Sequence, residues 1–252
     1  MCALIILRQP NHDWPLIIAA NRDEKKDRPS QPPGRHWPDR GYVTAAQDLL
    51  AGGSWLGVND YGLVAGILNG SGALRPEPNL RSRGELTLEA LDHAEAKAVA
   101  KAFLELNPYA YKPFNLFVGD AINAFCISSQ DESGKLGMRL AKIPMGVSML
   151  TEKGLNDTSS PRVRHYLPSF IEAPSPEPSK NTWSAWKELL AAKEFEDGAR
   201  PTDAMTIPAD DEFGTVSSSL IALPSAHFSH FSLCWLFAAG APDQTTFEPV
   251  QL

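Results

Sequence analysis

The second residue of the chain is a cysteine, set directly ahead of an apolar run in "MCALIIL". Two roles are open to it: a small residue at a strand start, or a nucleophile exposed when Met1 is trimmed. A small side chain after the initiator favours that trimming, which would leave Cys2 with a free α-amino group beside its thiol. With reference values of about 8 for the amine and about 8.5 for the thiol, the two exchange a proton at little cost near neutral pH. One residue then supplies nucleophile and base, the logic of N-terminal nucleophile catalysis. Such a thiol needs a cation that favours the thiolate and a group that orients the amine. It also needs donors for the oxyanion of acyl transfer, each worth about 3–4 kcal/mol.

The elements around Cys2 can bring such groups near. "CALIIL" and "PLIIAA" are short β-rich runs separated by "RQPNHDW", whose Pro, Asn and Asp are turn formers. They read as a hairpin with Cys2 at one end and "NRDE" at the other. In an antiparallel hairpin the end of the second strand returns beside the start of the first. Arg22 is then the candidate cation and Asp23 the candidate holder of the amine. Taken on hairpin logic alone, the plainer reading of "NRDE" is a polar turn after a strand.

Downstream, a Pro/Arg/Gly-rich loop runs from about Lys25 to Arg40. Its basic residues are interrupted by acids and read as a solvated loop. "SWLGV" and "GLVAGIL" flank "NDYG" as a second hairpin. Ser82 followed by Glu85 has capping-box spacing, ahead of one helix over "LTLEALDHAEAKAVAKAFLELN". "FNLFVGD", "INAFCISS", "MRLAKIP" and "GVSMLTE" read as a four-strand antiparallel meander. "SPRVRHYLPSFIEA" reads as a helix started by Pro161 and bent or shortened by Pro168. A second helix follows over "NTWSAWKELLAAKE", with Trp183 and Trp186 on one face as core. "FGTVSSSLIALP" and "HFSLCWLFAAG" close the chain as strands. Strands grouped before and after helices indicate α+β with antiparallel sheets, in one domain over residues 1–252.

Composition excludes several classes of function. A formal charge of -7 and a pI near 5.4 argue against nucleic acid or an anionic membrane surface as partner. The apolar runs are too short to span a bilayer, no leader pattern is present, and the expected location is cytoplasmic. Three cysteines without CxxC spacing imply neither a disulfide framework nor structural zinc. Cys126 and Cys234 sit in apolar runs as small core residues. Six histidines show no metal spacing, and His227 and His230, three apart, would lie on opposite faces of a strand. No metal site is expected. The serine run at 217–219 lacks elbow glycines, and no GxGxxG, Walker, HExxH or GxSxG sequence occurs.

"MCALIIL", "AANRDE", "GGSWLGVNDYGLVAGILN", "SRGEL" and "FGTVSSSLIAL" together resemble the NRDE family, also called the transport and Golgi organisation (protein two) family. That family in turn resembles the cysteine N-terminal nucleophile hydrolases, such as penicillin V acylases and bile-salt hydrolases. The resemblance implies a four-layer αββα sandwich, two antiparallel sheets between helical layers. It implies that Asn69, ending "GVNDYGLVAGILN", donates to the oxyanion, and that a second active-site asparagine falls near Asn156. Trp55 is a pocket-lining candidate, although packing against its hairpin is the plainer role.

This chain departs from the pattern in two places. Arg22 and Asp23 are adjacent, where the hydrolases separate their Arg and Asp by two residues, so Asn21 or Glu24 is an alternative for one role. Val216 stands where many relatives carry Arg, which removes a cation unless Arg162 or Arg164 substitutes. The expected activity is an amidohydrolase or acyltransferase acting on a non-peptide C–N bond of a small molecule through a Cys2 thioester, with no cofactor required. The competing expectation is a haem or lipid/acyl-CoA carrier on the same fold.

Overall fold

The computed structural model describes residues 2–72, 80–131, 133–208, 212–225 and 232–252. His227 and His230 lie outside the described residues. The described residues form two seven-stranded antiparallel sheets, and the chain divides into two compact units. The first unit is Met1–Asp27, Pro144–Thr151 and Leu155–Val250; the second is chiefly Arg28–Ile143.

The expected first hairpin forms, with β1 (Ala3–Arg8) and β2 (Leu16–Lys25) paired from Arg8↔Leu16 to Ala3↔Asn21. Residues 3–7 and 16–19 are all buried, which is why these strands read as continuous apolar runs rather than alternating ones.

The chain then builds the second unit's sheet in simple sequence order. Its strands are β3 (Ser30–Gly34), β4 (Val43–Asp48), β5 (Leu56–Asn59), β6 (Val64–Asn69), β7 (Phe114–Gly119), β8 (Ala124–Gln130) and β9 (Leu136–Lys142). The 25–40 segment is therefore not all loop: Ser30–Gly34 pairs with β4, with an irregularity between Gln31 and Gly34. Leu63, Ala65, Leu116, Val118 and Ile127 join one apolar cluster with Leu86, Leu91, Val99 and Phe103 of the helical segment.

The single helix expected after Glu85 is two, α1 (Gly84–Leu91) and α2 (Ala96–Phe103). The break has a physical cause. Asn59 Nδ2 donates to the carbonyls of Leu91 and His93 at 2.8 and 2.7 Å, satisfying groups that end α1. Asp92 is meanwhile held by Arg40 and Tyr42. The capping box does not form, because Glu85 pairs with Arg81 while Ser82 Oγ accepts from Gly84 N.

The chain then returns to the first sheet. β10 (Gly146–Thr151) pairs with β1, not with β9, so the expected four-strand meander is three strands plus one in the other sheet. β11 (Gly154–Leu155), β12 (Phe213–Leu223), β13 (Cys234–Ala238) and β14 (Glu248–Pro249) complete the order β11-β10-β1-β2-β12-β13-β14. Between them lie α3 (Pro161–Glu172), which runs through Pro168, and α4 (Ser184–Leu190). Trp183 and Trp186 join the core as expected. Val163, Tyr166 and Phe170 join them there, against Ala3, Ile5, Leu7, Ile17, Ala19 and Leu220.

Candidate active site

Strand pairing decides what surrounds Cys2. Ala3 faces Asn21 across the hairpin, so one step beyond the last paired position Cys2 comes alongside Arg22. Residues opposite one another on paired strands share a face. Ala3, Ile5, Ile17 and Ala19 point toward the side covered by α3 and α4. By alternation Cys2 and Arg22 point to the other side, with Leu4, Ile6, Ile18 and Ala20. Ser217 faces Arg22 across β12 and extends this row to a third strand.

Cys2 is half-buried, and its thiol donates to the backbone carbonyl of Asp23 at 3.9 Å. Burial pushes the thiol above its ordinary value of 9.0. Asp23 also pushes it up, while the Asp23 backbone and Arg22 pull it down. Arg22 is buried, with Nη2 4.0 Å from Glu24 Oε2.

The helix-facing residues of β2 make a second, fully buried polar group. Asn21 Nδ2 donates to the carbonyls of Leu190 and Met205, both at 2.9 Å, and Asn21 Oδ1 accepts from Ser218 Oγ. The Asp23 side chain is completely out of solvent. Its Oδ2 accepts from Arg162 Nη1 at 2.9 Å and its Oδ1 from Thr215 Oγ1 at 2.7 Å. Thr215 Oγ1 accepts in turn from Ile207 N at 2.9 Å, which directs the hydroxyl hydrogen to the carboxylate. Arg162 Nη2 is fixed on the Thr202 carbonyl at 2.7 Å.

Thr215 reaches Asp23 because β12 carries a bulge. Thr215 faces Asp23 and Ser217 faces Arg22, so Val216 is the extra residue. Without it, Thr215 and Ser217 would share a face by their period of two. Sequence patterning therefore could not place Thr215, although an extended "FGTVSSS" strand ending beside "NRDE" was a signal for some hydroxyl contact.

The remaining candidates are placed as follows. Asn156 has a left-handed backbone (φ 54) and clasps β10: its Oδ1 accepts from Met149 N at 2.8 Å and its Nδ2 donates to Ser148 Oγ at 3.3 Å. Glu24 Oε1 also accepts from the Lys25 backbone N–H at 2.9 Å. Arg164 pairs with Glu196 at the surface. Asn69 and Trp55 belong to the second unit. Asn69 ends β6 opposite Phe114, and a Cβ on the following Gly70 would lie 2.8 Å from Phe114 N, so only glycine permits that approach. The Trp55 carbonyl accepts from Ile67 N at 2.8 Å. Among the described residues no group of three or more His, Cys, Asp or Glu could hold a metal ion.

A family model described as "Transport and Golgi organisation 2" matches residues 1–232. The chain belongs to this family. Curated relatives include the transport and Golgi organization 2 homologs of Mus musculus, 30% identical over 129 residues, and of Homo sapiens, 29% identical over 133. These matches cover 48% and 49% of this chain and 45% and 47% of the relatives, so the chain spans about half the length of the curated relatives it matches. Among solved structures it is similar to a Caenorhabditis elegans ortholog of N-acylethanolamine-hydrolyzing acid amidase. That match has a TM-score of 0.53 at 12% identity and covers 92% of this chain and 98% of that one. It is also similar to a conjugated bile acid hydrolase from Clostridium perfringens, solved with alanine replacing its own second-position cysteine. That match has a TM-score of 0.52 at 10% identity over 100% and 97% of the two chains. The chain thus shares the α+β fold of these two solved structures, with two antiparallel sheets, as the resemblance implies. No helix among its described residues is long and apolar enough to cross a membrane.

Proposed function

We propose that this family member is an N-terminal-cysteine amidohydrolase that cleaves a non-peptide C–N bond of a small acyl amide through a thioester on Cys2. The observation that carries the reading is the placement of the Cys2 sulfur. It sits one residue ahead of a buried hairpin, 3.9 Å from the Asp23 carbonyl and one step beyond the last paired position, Ala3↔Asn21, alongside the buried Arg22. The fold it shares with an amidase and a bile acid hydrolase supports it.

Loss of Met1 frees the Cys2 α-amine, which takes the thiol proton. The thiolate attacks the acyl carbon of the amide, and collapse of the tetrahedral adduct breaks the C–N bond. The leaving nitrogen takes the proton from the α-ammonium and departs as an amine. Water then attacks the thioester, passing a proton to the sulfur through the amine, and the carboxylic acid is released. Arg22 supplies positive charge on the face of the sheet that carries the thiol, favouring thiolate over thiol.

The test is amine release from N-oleoylethanolamine and taurocholate by the full chain and its Cys2→Ala variant. Turnover by the wild type on either amide, absent in a folded Cys2→Ala protein, is the expected result. Equal rates in the two proteins would rule the reading out.

A further inference from the structure

The chain carries valine at 216, on the bulge of β12, while a buried carboxylate one strand away is matched by an arginine from a helix. Asp23 and Arg162 are 139 positions apart, and both side chains are essentially excluded from water, at 0% and 3% exposure. A carboxylate so buried is costly unless paired and hydrogen-bonded. Asp23 receives both: the guanidinium on Oδ2 and the Thr215 hydroxyl on Oδ1. Pro161 opens α3, so Arg162 projects from a rigid first turn, and its second nitrogen is anchored on the Thr202 carbonyl.

Asp23 is also the residue whose backbone carbonyl receives the Cys2 thiol. The carboxylate side of Asp23 is clamped by α3 and β12, while its carbonyl meets the sulfur. Among the described residues, the charged groups that act on Cys2 are Asp23 and Arg22, and Glu24 reaches it through Arg22.

We propose that Arg162 is the positioning residue of the Cys2 nucleophile. It fixes Asp23 through the carboxylate, so that the Asp23 carbonyl holds the sulfur in place, and it balances the negative charge that Asp23 brings beside the thiol. This inference rests on the reading of Cys2 as the nucleophile, but its test needs no substrate. A failure here therefore leaves the amide-release result standing, and the reverse also holds.

The experiment is the pH dependence of iodoacetamide alkylation, mapped by peptide mass to each of the three cysteines, in the full chain and in Arg162→Gln. Glutamine can still donate a hydrogen bond but carries no charge. The expected result is a Cys2 midpoint moved to higher pH, with alkylation at pH 7 slowed by about three- to tenfold, tenfold being one pH unit. Buried Cys126 should stay protected in both proteins, because a positioning role moves one thiol alone. A Cys2 profile that superimposes on the wild type, or a Cys126 that becomes reactive alongside Cys2, would overturn the assignment. If Arg162→Gln does not fold, Arg162→Lys replaces it: the charge is retained but the two-nitrogen anchoring is lost. Its Cys2 alkylation at pH 7 should fall by about two- to threefold, and an unchanged rate would equally reject the role.

Discussion

Arg162 Nη1 lies 2.9 Å from Asp23 Oδ2, and both side chains are all but excluded from solvent. Breaking a buried ion pair from one side strands a charge and typically costs about 3–5 kcal/mol, whereas removing both charges costs much less. Arg162→Met should therefore lower the urea-unfolding free energy by that amount. The double variant Asp23→Asn with Arg162→Met should recover most of the loss. A single variant as stable as wild type in urea titration would mean that the pair carries no net electrostatic weight.

Cys126 gives a pH prediction with a definite sign. Burial raises its thiol from the ordinary 9.0 to about 11. The folded state thus keeps a proton that the unfolded chain releases, so this contribution is full below about pH 9 and disappears as pH rises toward 11. Two units correspond to about 3 kcal/mol. Cys126→Ala should therefore flatten the fall in melting temperature between pH 9 and 11, as read by calorimetry at several pH values. A parallel fall in both proteins would contradict it.

Among the described glycines of the second unit, Gly53 makes the tightest backbone approach. A Cβ there would sit 2.4 Å from the Gly84 carbonyl carbon, beside the bond from Ser54 N to Gly84 O at 3.1 Å. No flexible side chain is available to yield. Gly53→Ala should cost about 1–3 kcal/mol through forced backbone shifts. Gly52→Ala meets no atom within 4 Å, but its φ of 75 is unfavourable for alanine. Chemical denaturation of the two variants separates steric crowding from backbone strain, and an unaffected Gly53→Ala would show that the α1 start can move aside.

Much of this architecture was legible in the residues. The β1–β2 hairpin followed from two β-branched runs around turn formers, and its antiparallel return predicted Cys2 beside Arg22. The burial of Trp183 and Trp186 was expected from helical spacing; both are core residues, although Trp183 stands at the N-cap of α4 rather than within it. Non-local pairing is what the sequence concealed. Nothing in "GVSMLTE" distinguishes a strand that continues a meander from one that crosses to β1, because both present the same apolar pattern. The break between α1 and α2 is set by Asn59, more than thirty residues upstream, taking the Leu91 and His93 carbonyls. The Asp23 environment was hidden for the same reason: Arg162 and Thr215 arrive from distant segments, and Thr215 does so only through the bulge at Val216.

The central claim is that Cys2, freed of Met1, takes an acyl group. Mass analysis of the N-terminal peptide settles it in one measurement, on protein mixed with N-oleoylethanolamine or taurocholate and quenched in acid during turnover. The account predicts a peptide that begins at Cys2 and carries the acyl mass on sulfur, lost on treatment with hydroxylamine. A peptide that retains Met1, with an unmodified Cys2 while amine is being released, would contradict it.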